Sequence, residues 1–260
     1  MRPSKIANYL LTISVLYVSA CTQQEGRSKS MIIATSANMQ FATQELTRQF
    51  TEKTGTACEL VIGSSGKLTA QIMEGAPYDI FLSANMRYPN EIFKNGLAVD
   101  SPKIYAYGKL VLWSMIDGIE PSVAQLSGES VKHIALANPK IAPYGIAARE
   151  ALQHYDLLPG IEDKLVYGES IAQTNQFITS RSAELGFTAM SVVLSPQMKG
   201  KGRWIEVDES IYTPIEQGVV IIRRKNFDDG DAKKFVEFLF SREGKEILQD
   251  FGYLASNQPK

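Results

Sequence analysis

The feature that most limits the fold of this chain is a repeated alternation of short apolar runs with segments of helical periodicity. The first run covers residues 31–34, and Met39, Ala42, Leu46 and Phe50 follow it at helical spacing. Continuous apolar runs are typical of strands buried on both faces, and steps of three and four residues mark one face of a helix. Repetition of this unit predicts an α/β fold with mainly parallel sheets flanked by helices.

The same two patterns recur to the end of the chain. We predict further strands over residues 58–62, 79–82, 109–113, 133–137, 165–167, 185–188 and 217–222. We predict further helices over about residues 68–75, 145–155, 171–178, 232–240 and 244–251. In such sheets ligands bind at the carboxyl ends of the strands, so the strand-to-helix turns are where chemistry is expected.

Length and charge limit the function. The chain has 260 residues with a formal net charge of -1, which suits one large or two medium domains. A near-neutral chain gives no reason to expect nucleic acid or a charged membrane surface as a partner. An anionic ligand would therefore need a local site.

The N-terminus is typical of an exported protein. Arg2 and Lys5 precede a mostly apolar stretch over residues 6–20, which is short for a membrane-spanning helix. We predict a signal peptide over residues 1–20 and a polar tether over residues 21–30. The small residues that precede Cys21 resemble a bacterial lipobox, which implies that Cys21 carries lipid. An ordinary signal peptide with a chance cysteine is the alternative.

Cysteine usage follows from this prediction. The chain has only two cysteines, so a lipidated Cys21 leaves Cys58 without a disulfide partner. Cys58 lies in an apolar run and is predicted to be a buried small hydrophobe rather than a nucleophile.

Four strand-to-helix turns share one chemistry, being rich in small residues, hydroxyls or amides. They cover residues 35–38, 63–66, 142–145 and 168–171. The first N–H groups of a helix lack intrahelical acceptors and carry partial positive charge, so such turns can hold an anion without any formal positive charge. Ordinary helix capping is the more common explanation of any single turn, and only their convergence would make a site. Glu169 in the fourth turn does not suit an anion site unless its side chain points away.

Taken in order, these motifs resemble the periplasmic molybdate-binding proteins of ABC importers over residues 30–253. The segments that carry the resemblance are Thr35-Ser36-Ala37-Asn38, Gly63-Ser64-Ser65-Gly66, Glu74-Gly75-Ala76-Pro77-Tyr78-Asp79, Phe81-Leu82-Ser83-Ala84, Gly108-Lys109-Leu110-Val111-Leu112-Trp113-Ser114, Ile141-Ala142-Pro143-Tyr144-Gly145 and Leu185-Gly186-Phe187-Thr188-Ala189. Each segment alone is weakly diagnostic, but the ordered set is highly specific.

The resemblance implies a two-lobed periplasmic-binding-protein fold of type II that closes on an oxyanion. Lobe 1 would hold residues 31–108 and 213–260, and lobe 2 would hold residues 109–212. Residues 109–114 and 216–222 would supply the two hinge strands. The protein would capture molybdate, and with it tungstate, outside the cytoplasm and deliver it to an ABC transporter permease. It would act as a monomer and bind neither a cofactor nor a metal cation.

The resemblance also implies the ligand positions. These are Ala37 and Asn38 in the first turn, Ser65 in the second, and the backbone N–H groups of Tyr144 and Ile171. Asn38 could also donate through its side-chain amide. Some members of the family use a tyrosine hydroxyl where this chain has Ala189, so that donor is missing here.

Other functions remain as alternatives. Sulfate or another oxyanion could be the ligand, and the protein could be an anion sensor rather than a transport component. Lys67 follows a glycine- and serine-rich turn that lacks the spacing of a nucleotide-binding loop. Neither His133 nor His154 has an evident serine partner, which argues against a hydrolase. Two histidines and one spare cysteine also argue against a transition-metal cation site.

Overall fold

The structure is a computed structural model that describes residues 30–224 and 228–256. The predicted signal peptide, Cys21 and the tether up to residue 29 lie outside the described residues.

The strands form two sheets. In chain order they are β1 Met31–Ser36, β2 Cys58–Gly63, β3 Ile80–Ser83, β4 Lys103–Gly108, β5 Leu110–Ser114, β6 Ile134–Ala137, β7 Leu165–Gly168, β8 Leu185–Ala189, β9 Arg203–Glu206, β10 Ile215–Ile221 and β11 Leu254–Ala255. The first sheet has the order β11-β4-β10-β3-β1-β2, and the second has the order β7-β6-β8-β5-β9. Two sheets flanked by helices confirm the predicted fold class.

Each sheet is mixed rather than mainly parallel as predicted, since antiparallel pairs are at least as many as parallel ones. β1 pairs in parallel with β2 and β3, and β6 pairs in parallel with β7 and β8. The pairs that β10 makes with β3 and β4, and that β5 makes with β8 and β9, are antiparallel. The parallel parts come from strand–helix–strand units, since parallel neighbours need such a crossover, whereas β5 and β10 enter directly from the other sheet.

The helices of the described residues include the six predicted from periodicity and four shorter ones that were not predicted. They are α1 Gln40–Thr54, α2 Ser65–Met73, α3 Arg87–Lys94, α4 Val123–Leu126, α5 Pro143–His154, α6 Leu158–Ile161, α7 Ile171–Thr179, α8 Met190–Val193, α9 Gly230–Phe240 and α10 Arg242–Asp250, with 3-10 helices at Ala37–Met39, Glu162–Lys164 and Glu209–Ile211. α1 ends at Gly55, whose φ of 75° is accessible at little cost because glycine has no Cβ.

The chain passes between the two sheets twice. It leaves the first sheet after β4, reaches the second at Leu110, and returns between β9 and β10. The division into lobes at 108/109 and 212/213 stays a prediction, which these two crossings support. For brevity, lobe 1 denotes the part around the first sheet and lobe 2 the part around the second.

Apolar packing covers both faces of the sheets. In lobe 1, Met31 and Ile33 of β1 pack on the side of α1, α9 and α10, while Ala34 packs on the opposite side with Leu68 of α2. Lobe 2 has one large core around β5, β6 and β8, in which Trp113 is fully buried. Within the described ranges, no helix is both long and apolar enough to cross a membrane.

The start of α5 lies unusually close to the end of β6. A Cβ atom placed on Gly145 would lie 2.0 Å from the carbonyl oxygen of Ala137, which is backbone and cannot rotate away. Only glycine therefore allows α5 to begin against this strand.

We expect Gly145→Ala to lower the free energy of unfolding by about 2–3 kcal/mol or more, because the clash forces the helix off the sheet. Gly160→Ala is the matched control, since a Cβ atom there meets nothing within 4 Å. Urea unfolding of both variants measures the difference. Equal stability of the two would show that α5 is not held at this distance.

Candidate anion-binding site

The five predicted ligand residues all lie at the first positions of helices. Ala37 and Asn38 form the 3-10 turn that joins β1 to α1, and Ser65 is the first residue of α2. Tyr144 is the second residue of α5, and Ile171 is the first residue of α7. Each of these helices follows directly on a strand of its sheet or on a short loop after it.

The structure brings the four turns together across the two lobes. Ala37 and Ala84 of lobe 1 lie in the same apolar cluster as Tyr144 and Ile171 of lobe 2. Ala84 also donates its backbone N–H to Ser65 Oγ at 3.0 Å, which links the start of α2 to that cluster. These contacts place turns of the two lobes near one another, and their joint use as one anion site stays a prediction.

A backbone hydrogen bond between the lobes fixes the second turn against the third. The N–H of Gly66 donates to the carbonyl oxygen of Ile141 at 2.9 Å. A Cβ atom at Gly66 would lie 3.0 Å from that oxygen and 2.9 Å from the Tyr88 hydroxyl. A glycine here lets the start of α2 reach the loop before α5.

The serine caps leave the first N–H groups of their helices available. Ser64 Oγ accepts from the N–H of Lys67 at 3.4 Å, and Ser170 Oγ accepts from the N–H of Gln173 at 3.5 Å. Each cap thus serves the third N–H of its helix, and the first N–H belongs to Ser65 or Ile171. Capping and anion binding are compatible at both turns.

In α5 a proline, rather than a serine cap, leaves the first N–H group of the helix available. Pro143 is the first residue of the helix and has no N–H, so the first donor is the N–H of Tyr144. The residue before it, Ala142, is extended and has no side chain that could cap the helix.

Asn38 is fully engaged by the protein itself. Its Nδ2 donates to Gln217 Oε1 and to the Tyr253 hydroxyl, both at 2.9 Å. Its carbonyl oxygen accepts from Ser191 Oγ at 2.7 Å. An amide nitrogen carries two hydrogens, so the side chain has no further donor, and the donor that this position can offer an anion is its backbone N–H. The suggestion that Asn38 donates through its side chain does not fit this arrangement.

Sequence reasoning missed the residues that hold Asn38 in place. Gln217 lies on β10, Tyr253 precedes β11, and Ser191 lies on α8 of lobe 2. Tyr253 is fully enclosed, and burial raises the pKa of its hydroxyl to about 12, so it stays neutral. These positions are distant from Asn38 in sequence, and no local motif marks them.

Position 189 offers no hydroxyl, as the sequence predicts. Ala189 is buried at the end of β8 and precedes α8. Ser191 lies two residues further on, but its hydroxyl donates to the carbonyl oxygen of Asn38.

The charged residues of the turns pair with each other at the rim. Lys67 Nζ lies 3.3 Å from Glu169 Oε2, and both side chains are more than half exposed. The two residues border a cavity of about 190 Å³ that is also lined by Gly63, Ser64 and Ser170. Glu169 thus points to the surface and pairs with a cation, which answers the objection that its carboxylate would repel an anion.

The other candidate residues lie elsewhere. His133 is exposed and lies 3.6 Å from Glu184, and His154 ends α5. Cys58 is only partly buried, and burial raises the pKa of its thiol, which disfavours the nucleophilic thiolate. In residues 30–224 and 228–256, no group of three or more His, Cys, Asp or Glu is placed to hold a metal ion.

The chain is similar to known proteins over most of its length. The family model of bacterial extracellular solute-binding proteins matches residues 31–254. The chain is 37% identical to the molybdate-binding protein ModA of Rhodobacter capsulatus over 225 residues, which is 86% of this chain and 88% of the relative. It is 36% identical to the molybdate-binding protein ModA of Azotobacter vinelandii over 237 residues, or 90% and 92% of the two chains.

Similarity of structure extends over the same region. The periplasmic molybdate-binding protein of Azotobacter vinelandii superposes with a TM-score of 0.82 at 32% identity, covering 89% of this chain and all of that one. The chain therefore belongs to the family of bacterial extracellular solute-binding proteins that includes these molybdate-binding proteins.

Proposed function

We propose that this protein captures molybdate, and tungstate in the same site, outside the cytoplasm and delivers it to the permease of an ABC importer. The observation that supports the proposal is that helix starts of the two lobes contact each other, through the bond from Gly66 to Ile141 and the pair of Lys67 with Glu169. The names of the relatives identify the ligand class. The function is binding without turnover, as in those relatives.

The donor set favours a fully ionised oxyanion. The N–H groups of Ala37, Asn38, Ser65, Tyr144 and Ile171 can only donate, and the Ser65 oxygen already accepts from Ala84. The Ser65 hydroxyl hydrogen thus remains to donate. Molybdate and tungstate are acceptors on every oxygen, whereas hydrogen phosphate carries a proton that needs an acceptor. Sulfate shares the acceptor-only chemistry, so cavity size would separate it from molybdate.

One chain supplies donors from both lobes, so a monomer suffices for the site. Binding would hold the lobes together, and the permease would recognise the occupied arrangement.

We expect titration calorimetry of the purified protein to show one-to-one binding of molybdate and tungstate. Hydrogen phosphate should bind at least a thousandfold more weakly, since its proton would leave buried donors and acceptors mismatched. Tight binding of sulfate with weak binding of molybdate would show that sulfate, and not molybdate, is the ligand. Silence towards all four anions in a folded protein would refute anion capture.

Ser65→Ala is expected to weaken molybdate binding about tenfold to a hundredfold, because it removes a hydrogen bond to a charged ligand. Ser64→Ala is the matched control, since Ser64 is the adjacent buried serine and only caps α2. The control should lose about 1 kcal/mol of unfolding free energy and keep its affinity. Equal affinities of the two variants, measured by calorimetry, would show that the Ser65 hydroxyl does not bind the anion.

We propose in addition that the protein is held at a membrane through lipid on Cys21, which lies outside the described residues. Cys21→Ser should then move the exported protein from the membrane fraction to the soluble fraction in its host, with molybdate affinity unchanged. Fractionation and immunoblotting measure this. A variant that remains in the membrane fraction would show that another contact anchors the protein.

A further inference from the structure

One buried hydroxyl beside the candidate site has no partner. Ser36 is the last residue of β1 and is 2% exposed. Its Oγ makes no hydrogen bond to any of the described residues, and it does not cap the 3-10 helix that begins at Ala37. A buried hydroxyl without a partner is unfavourable and uncommon in native proteins, so its position needs an explanation.

The alternation of β1 shows which way Ser36 points. Thr35 faces α1, where its hydroxyl lies 3.1 Å from that of Thr43. Ala34 faces the opposite side and packs with Leu68 of α2. Side chains alternate along a strand, so Ser36 shares the side of Ala34 and faces α2. In register it lies beside Gly63, the residue before the cap of α2.

The serine hydroxyls near Ser36 have hydrogen-bond partners within the protein, unlike that of Ser36. Ser65 Oγ accepts from the N–H of Ala84 at 3.0 Å, and Ser83 Oγ accepts from the N–H of Asn85 at 3.3 Å. Ser64 Oγ accepts from the N–H of Lys67. Each of these oxygens has a donor within the protein, and only Ser36 among the four serines has none.

Ser36 adjoins two of the four helix starts that are proposed to hold the anion. Ser36 directly precedes Ala37 and Asn38, and on the α2 side it adjoins the turn that leads to Ser65. An anion that accepts from these N–H groups would place one of its oxygen atoms near the Ser36 hydroxyl, where it could accept the hydrogen bond that the protein does not. The side chain of Ala37 contributes only a methyl group.

We propose that the Ser36 hydroxyl donates a hydrogen bond to the bound oxyanion and is a ligand of this site in addition to the five residues named above. The inference rests on the proposed function and names one further binding residue for it. It also explains why the hydroxyl is tolerated: the protein without anion carries an unsatisfied group that the anion satisfies.

Replacement of Ser36 is expected to change molybdate affinity and thermal stability in different directions. Ser36→Ala removes a ligand from the bound state, so molybdate affinity should fall about tenfold to a hundredfold. The same change removes an unsatisfied hydroxyl from the anion-free protein, so its melting temperature should stay the same or rise. A hydroxyl with a structural role would behave in the opposite way.

Ser195→Ala is the matched control. Ser195 is also fully buried, but its hydroxyl donates to the carbonyl oxygen of Val192 at 2.7 Å in lobe 2. We expect this variant to melt at a lower temperature and to bind molybdate as the unchanged protein does. Calorimetry with molybdate and thermal unfolding without anion are measured on both variants and on the unchanged protein.

The outcomes separate this inference from the function on which it rests. If the unchanged protein does not bind molybdate, the proposed function fails. If it binds and Ser36→Ala binds equally tightly, or if Ser36→Ala loses affinity together with thermal stability, the assignment of Ser36 is overturned. Ser36→Cys keeps the size and offers a weaker donor, so it should also lose affinity, and it provides the test if the alanine variant does not fold.

Discussion

The hydrogen bonds of Asn38 are the interaction on which the site depends. Its side chain is held by Gln217 and Tyr253 of lobe 1, and its carbonyl oxygen accepts from Ser191 of lobe 2. The backbone of the first turn, whose N–H groups are proposed donors, is thereby fixed in a buried place. In a medium of low dielectric constant, partial charges fixed in this way are worth more than in water and need no rearrangement when a ligand arrives.

A site built from backbone donors explains how a chain with net charge -1 can bind an anion. The helix starts supply partial positive charge locally, and the charged residues of the turns neutralise each other at the rim, as Lys67 does with Glu169. That pair is exposed and contributes at most about 1 kcal/mol. Selectivity then follows from the number and direction of donors rather than from attraction by bulk charge, which would favour every anion alike.

Much of the fold could be predicted from local pattern. The runs that become β1, β3 and β6 are apolar because both faces of these strands are covered, and α1 ends where Gly55 permits it. The sequence did not predict α3, which contains Pro89, or β9, whose residues are all exposed and therefore lack an apolar pattern. The antiparallel pairing of β5 and β10 depends on which sheet each strand enters, and no local periodicity records that.

Part of the candidate site could likewise be predicted from local sequence, and part could not. The helix starts carry local signals, namely the small residues, the serine caps and Pro143, which marked the four turns in advance. The five proposed ligands within them were implied by the family resemblance. Gln217, Tyr253 and Ser191 could not, because a buried hydrogen bond between distant positions leaves no mark on neighbouring residues. The burial of Ser36 without a partner is likewise a property of the fold, since any serine in a turn looks the same in sequence.

The contacts between the lobes indicate how binding could be linked to recognition by a transporter. The bond from Gly66 to Ile141, the bond from Ser191 to Asn38, and the pair of Lys67 with Glu169 join the lobes directly. Net hydrogen bonds contribute about 0.5–1.5 kcal/mol each, and the exposed pair adds little. Apolar contacts of Ala37 and Ala84 with the lobe 2 core, and the bond from the Tyr253 hydroxyl to Ser191, add to them. A ligand that receives charge-assisted hydrogen bonds from both lobes at once would add several kcal/mol to these contacts, so the arrangement of the lobes would report occupancy.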